Sequence, residues 1–146
     1  MQTTIHIQKA DKRDFDAVCR ILSQENLPTS DLNPLLENFF IAVDDNAIAG
    51  VIGMDRYGDN GLLRSAIVQK EHRNTGIAAA LVAQLFDEAA KHGVTTLYLI
   101  TNTAAGYFQN KGFKKIDKEE VAPAVLQSKE FNGLCPASSV IMVKKL

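Results

Sequence analysis

The stretch GLLRSAIVQKEHRNTGIAAALVAQLFDEAAKHGVTTLYLIT, residues 61–101, constrains the fold of this chain more than any other segment. Residues 61–69 read as a strand that runs into a short polar turn. From Gly76 to His92 the sequence is rich in Ala and Leu, with Ile77, Ala80, Leu81, Leu85 and Ala89 on one face at helical spacing. Gly93 stands where glycine commonly closes a helix. VTTLYLIT, 94–101, is apolar enough to be a strand covered on both faces. Strand, helix and buried strand in succession need a sheet with a helix packed against it.

The flanking sequence supplies the rest of that sheet. TTIHIQ (3–8) alternates polar and β-branched residues and reads as an edge strand. Asp11 offers an N-cap, and Phe15, Val18, Cys19 and Leu22 follow on one helical stripe that extends to about Glu25. NLPTSDLNP (26–34) is a loop by its prolines and cap formers, and residues 39–57 read as two strands around an Asp45-Asn46 turn. A short helix over 104–111 ends at Gly112, followed by the strand FKKI. A further helix is expected around Val121–Phe131, with Pro123 in its first turn, and SSVIMVKKL closes the chain as a strand. The order β-α-β-β-β-α-β-α-β-α-β indicates a mixed α/β (α+β) sheet of seven strands with helices on both faces. Neither a repeat nor a separating linker interrupts it, so a single domain over 1–146 is expected.

Charge and cysteine usage narrow the function. A net charge of −1 leaves no basic surplus for phosphate backbones, so no nucleic-acid partner is expected. GIAAALVAQLF is about half the roughly 20 residues that a membrane span requires. No basic run precedes an apolar N-terminal segment, so neither membrane nor secretory targeting is expected. Cys19 and Cys135 are too few for a disulfide framework, which suits a reducing cytoplasm.

The turn before the long helix carries the clearest chemistry. A helix N-terminus presents unpaired backbone N–H groups and a partial positive charge, both favourable to phosphate. Gly76 and Ala78 add almost no side chain there, while Arg73 offers a charge and Thr75 a hydroxyl. The same small residues also serve close packing. No Gly-Lys-Ser/Thr follows and no Gly-x-Gly-x-x-Gly is present, which disfavours a nucleoside-triphosphate loop and a dinucleotide fold.

Arg-x-x-Gly-x-Ala at 73–78, after a strand and before an Ala/Leu-rich helix, resembles the acetyl-coenzyme A signature of the GNAT superfamily of N-acetyltransferases. The element order agrees over nearly the whole chain, down to Gly112-Phe113. The resemblance implies the GNAT acyl-CoA N-acyltransferase fold, with a central, mostly antiparallel sheet whose strands 61–69 and 94–101 splay to admit acetyl-CoA. It implies that backbone N–H groups around Arg73, Asn74, Thr75, Gly76, Ile77 and Ala78 hold the pyrophosphate. Ile67 and Val68 would pair with the pantetheine arm like an added strand, and the Val68 N–H would polarise the thioester carbonyl. Acetyl-CoA is then a cosubstrate, no metal is needed, and a neutral amine attacks the thioester directly.

GLLRSAIV, TNTAAGYFQNKGF and EFNGLCPASSVIM further resemble arsenic-resistance N-acetyltransferases, which are related to enzymes that acetylate phosphinothricin. That likeness implies a glutamate-like acceptor bearing a phosphinic or arsinic group. Arg64, placed by strand alternation on the face of Ala66 and Val68, would bind the acceptor's anionic group; otherwise it is a surface or ion-paired arginine. Glu130 and Cys135 would shape the acceptor end of the pocket. Cys135 as a nucleophile is disfavoured because His6, His72 and His92 all lie far from it in sequence. Glu25, Asp31, Asp55 and Glu130 are alternative general bases beside water, and His72 reads as solvated or phosphate-flanking.

The superfamily usually carries a tyrosine four residues before the Gly of Gly-Phe, as the acid that protonates the departing thiolate. Here that position is Phe108, expected to wall the cofactor arm, and Tyr107 lies one step around the helix as a displaced acid or a structural residue. Thr101 occupies the polar position seven residues before it. The reading is a cytoplasmic acetyltransferase acting on a small-molecule amine, with a homodimer compatible with the sequence. The rivals are a non-catalytic acyl-CoA sensor and an acetyltransferase of protein N-termini or lysines.

Overall fold

The computed structural model describes residues 5–25, 29, 32, 34–45, 47–72, 76–101, 104–127 and 139–146. Among these, seven strands and four α-helices occur in the expected order: β1 (Ile5–Lys9), α1 (Phe15–Gln24), β2 (Phe39–Asp44), β3 (Ala47–Tyr57), β4 (Asn60–Val68), α2 (Ile77–Lys91), β5 (Thr96–Thr101), α3 (Ala105–Gln109), β6 (Lys114–Ile116), α4 (Pro123–Leu126) and β7 (Val140–Lys145). The strands form one sheet in the order β1-β2-β3-β4-β5-β7-β6. β4 and β5 run parallel, while β1–β2, β2–β3, β5–β7 and β6–β7 are antiparallel. Among the described residues no helix is long and apolar enough to cross a membrane.

The chain forms two compact units. The first comprises Met1–Met54 and Ser65–Glu88. Asp11 caps the 3₁₀ turn Lys12–Asp14 that leads into α1 rather than α1 itself: its carboxylate accepts from the Arg13 N–H at 2.8 Å and Asp14 reaches back to the Asp11 N–H, while Asp14, directly before α1, makes no side-chain cap bond to it. The stripe Phe15, Val18, Cys19 and Leu22 then packs against Leu32, Leu36, Phe39, Ile41 and Val51. Burial pushes the Cys19 thiol above its ordinary range, with Asp16 adding to the effect, as suits a packing cysteine. Gly53 faces Phe39 across the β2–β3 ladder, and a Cβ there would collide with the Phe39 ring. The ring occupies the space a side chain would need.

A bulge interrupts the β2–β3 ladder of this unit. The register passes from Ala42↔Gly50 to Val43↔Ile48, so Ala49 is an extra residue with no opposite number on β2. On the same strand a Cβ at Gly50 would stand 3.0 Å from both the Ile67 carbonyl and Leu81 Cδ1, and 3.3 Å from Ile77 Cγ2. Glycine here lets the first turns of α2 and the end of β4 close onto β3. Of the α2 face read from the sequence, Ile77, Leu81, Leu85 and Ala89 are buried, but Ala80 is exposed and Val82 takes a buried place. Alanine carries too little apolar surface to mark a helix face by itself.

The second unit comprises Asp55–Arg64 and Ala89–Leu146. Leu62, Tyr98, Val121, Val125 and Val143 form its core, with Tyr57, Ile116, Leu126 and Ile141 packed around them. Leu97, Tyr98 and Leu99 are consecutively buried, as a strand covered on both faces requires. Gly93, at φ +80, ends α2: its N–H reaches the Ala90 carbonyl at 3.2 Å and the Val94 N–H reaches that of Ala89 at 3.0 Å. Pro123 opens α4, which ends at Leu126; the expected continuation to Phe131 lies outside the described residues.

Candidate functional site

The site predicted from sequence centres on the passage from β4 into α2. Gly76 is exposed, has φ +85, and would meet nothing within 4 Å if it carried a Cβ. Its carbonyl accepts the Ala80 N–H at 3.1 Å, the first intrahelical bond of α2. The N–H groups of Ile77, Ala78 and Ala79 therefore precede the helical ladder at the positive end of a helix of 15 residues, whose first turn holds no acidic side chain. The Ile77 side chain is 3% exposed and belongs to the packing at Gly50, so only its backbone can serve a ligand. Ala78 is half-buried. Arg73, Asn74 and Thr75 lie outside the described residues.

Upstream of that turn, β4 departs from regular alternation. Ser65 has φ +58, a left-handed conformation that costs a serine about 1 kcal/mol and rotates the chain out of the pleat. The parallel ladder with β5 is formed by Asn60–Leu63 against Thr96–Leu99. Arg64 and Ala66 accordingly do not share a face: Arg64 is 4% exposed and Ala66 is exposed. This corrects the expectation from simple alternation, because one left-handed residue is enough to break a period of two. Ile67 and Val68 are half-buried, and the Ile67 side chain packs on the core of the first unit.

The Arg64 side chain is 1% exposed and donates from a terminal nitrogen to Asp55 Oδ2 at 2.9 Å. It is thus ion-paired, one of the two alternatives the sequence left open for it. The same bond occupies the Asp55 carboxylate, which weighs against Asp55 as the general base. Glu25 is exposed, while Asp31, Glu130 and Cys135 lie outside the described residues.

The Tyr107-Phe108 pair is resolved by helix termination. Gly112, at φ +98, closes α3; its N–H reaches the Gln109 carbonyl at 3.1 Å, and the Phe113 N–H reaches that of Phe108 at 3.0 Å. In such an ending the residues placed as Phe108 and Phe113 make a hydrophobic contact. Their rings do so edge-on at 5.6 Å, with Phe108 6% exposed. That packing accounts for an apolar residue at 108 without any ligand. Tyr107 is 38% exposed, edge-on to Phe108 at 5.3 Å and beneath Lys111 Nζ at 5.5 Å. Burial of part of its ring raises the phenol above its ordinary range, which keeps it protonated. Thr101 Oγ1 accepts the Ala104 N–H at 3.0 Å and so fixes the lead into α3.

Two side chains beside the turn take roles the sequence did not reveal. His72 Nε2 lies 2.9 Å from Asp44 Oδ2, both largely buried, rather than in solvent. Gln69 Nε2 donates to the Ile48 carbonyl at 2.8 Å. These partners lie 28 and 21 residues away, beyond any local signal.

Known proteins share this architecture. A family model described as an acetyltransferase (GNAT) domain matches residues 36–115, more than half of the chain. No curated protein sequence matches significantly. Among solved structures, N-acetylglutamate synthase from Neisseria gonorrhoeae, complexed with coenzyme A and N-acetyl-glutamate, superposes with a TM-score of 0.81 at 21% identity. The match covers 100% of this chain but 36% of the synthase, so the chain spans about a third of that protein. A GNAT-family acetyltransferase from Staphylococcus aureus matches with a TM-score of 0.76 at 22% identity, covering 98% of this chain and 99% of its own. The PaiA N-acetyltransferase from Thermoplasma acidophilum, in complex with coenzyme A, gives 0.70 at 16%, covering 98% and 99%. At these identities the likeness is one of fold.

Proposed function

The chain belongs to the GNAT acetyltransferase family, and from that premise we propose that it transfers the acetyl group of acetyl-CoA to the primary amine of a small amino acid bearing a second anionic group. The observation that carries this reading is the start of α2. An exposed, left-handed Gly76 opens a helix of 15 residues with no acidic side chain in its first turn, as a pyrophosphate cradle needs. In this reading the pantetheine arm follows Ile67 and Val68 and the thioester carbonyl lies by the Val68 N–H. The ammonium first gives one proton to water; the neutral amine nitrogen then attacks that carbonyl carbon, the C–N bond forms, the C–S bond breaks, and the second nitrogen proton ends on the departing thiolate. A thiol with a pKa near ~8.5, by analogy with cysteine, leaves readily, so the phenol of Tyr107 is a supplementary proton source.

The acceptor class is supported by the resemblance of EFNGLCPASSVIM to enzymes acting on glutamate-like amino acids. It is supported independently by the likeness to a synthase bound to N-acetyl-glutamate. Glutamate and phosphinothricin are accordingly the first acceptors to try, alongside an arsinic analogue and a peptide with a free N-terminus.

Release of coenzyme A thiol from acetyl-CoA, followed with that panel, tests the proposal. An anionic amino acid is expected to raise release at least tenfold over the acceptor-free rate. Binding of coenzyme A with no stimulation by any amine would favour a sensor, and stimulation by the peptide alone would favour a protein acetyltransferase.

A further inference from the structure

Two observations fix how the end of β4 lies against β3. The Gln69 N–H donates to the carbonyl of Ala49, the bulge residue, at 2.8 Å. Two residues earlier, the Ile67 carbonyl oxygen comes within 3.0 Å of where a Cβ on Gly50 would stand. The main-chain groups of Ile67 and Gln69 are therefore both turned toward β3, as those of residues two apart on one strand are. Gln69 Nε2 adds a bond to the Ile48 carbonyl at 2.8 Å, so this end of the strand is held by side chain as well as main chain.

Val68 lies between the two. A peptide unit is planar and trans, so the Ile67 carbonyl and the Val68 N–H point in opposite directions. With that carbonyl against β3, the Val68 N–H is aimed away from β3. We propose that Gly50 is a positioning residue for the thioester of acetyl-CoA. By carrying no side chain it lets the Ile67 carbonyl lie against β3, and so sets the direction of the Val68 N–H. The assignment rests on the reading of that N–H as the group that polarises the thioester carbonyl. Gly50 is not among the left-handed glycines, so what it supplies is space rather than backbone freedom. A methyl group there would press on the Ile67 oxygen and Leu81 Cδ1 at 3.0 Å, and on Ile77 Cγ2 at 3.3 Å. The Leu81 side chain has other rotamers to turn to. The carbonyl moves only with its peptide plane, and the Val68 N–H moves with it.

The test follows the Val68 amide by NMR, and turnover with an anionic amino acid as acceptor. In the wild type, acetyl-CoA is expected to move the Val68 amide proton farther downfield than coenzyme A does, because only acetyl-CoA brings a carbonyl to it. Gly50→Ala is expected to remove at least half of that extra shift. It is also expected to lower kcat about fivefold, since misplacement by about 1 Å costs roughly 10²-fold and a few tenths of that are at stake here. Adding Leu81→Ala to Gly50→Ala makes room on the α2 side only. The double variant is expected to regain the Tm of Leu81→Ala while its kcat and amide shift stay low. Recovery of kcat together with Tm would mark Gly50 as a residue that only seats α2, and would overturn the proposal. So would a Gly50→Ala variant with the shift and kcat of the wild type. A wild-type Val68 amide that answers coenzyme A and acetyl-CoA alike would remove the thioester reading itself, and the role of Gly50 with it. The shift needs no acceptor, so it separates a misread acceptor from a misplaced N–H. Should Gly50→Ala be too unstable to study, the double variant is compared with Leu81→Ala instead, with the same expected losses, and an unchanged shift there counts against Gly50.

Discussion

Arg64 is a full positive charge at 4% exposure, compensated by Asp55 at 2.9 Å. Removing one member of such a pair leaves the other poorly solvated, and Asp55 at 27% exposure recovers part of its hydration from water. Arg64→Ala is therefore expected to cost about 2–4 kcal/mol in urea unfolding, from the uncompensated carboxylate and the space left behind. A change below about 0.5 kcal/mol would mean that the pair contributes nothing to the fold. The chemistry of arginine was legible in the sequence, but its partner was not. Asp55 is nine residues away, on the adjoining strand β3, and pairing across strands depends on a register that residue identity does not announce. Ser65 is illegible for the same reason, since serine carries no preference for the left-handed region that would mark it.

Among the elements, α2 was the most legible, because length, apolar spacing and a closing glycine agree over its whole span. Its start was legible in composition only. Gly76 adopts φ +85, and no neighbour lies within 4 Å of where a Cβ would stand. Any L residue there is strained rather than crowded, so Gly76→Gln and Gly76→Glu should both lose about 1–2 kcal/mol of stability. Their affinities for coenzyme A should differ by at least roughly tenfold, because only the glutamate opposes phosphate charge at a helix N-terminus. Calorimetric titration of the two variants measures this, and equal affinities would remove the turn from phosphate binding. α3 shows the converse. Gly112-Phe113 is part of the family resemblance, and the structure gives it a mechanical cause in helix closure: a left-handed Gly112 with Phe113 packed on Phe108.

For the molecule as a whole, coenzyme A binding is separable from turnover. A ligand that binds only the folded chain at about 100 times its Kd adds about 2.7 kcal/mol. For a chain of 146 residues this corresponds to a rise in Tm of about 5–10 °C, readable by calorimetry whether or not an acceptor is known. No shift at millimolar coenzyme A would count against both the enzyme and the sensor. The element order was already determined by the sequence, since strands, helices and their closing glycines are written in local periodicity and local backbone preference. So was the family, whose model matches the continuous stretch 36–115. Tertiary structure alone decided which side chains meet: Asp55 with Arg64, Asp44 with His72, and Gln69 with the hairpin bulge. Those pairings depend on strand register, one bulge and one left-handed serine, and each of these is selected by packing over distances at which sequence neighbours exert no influence.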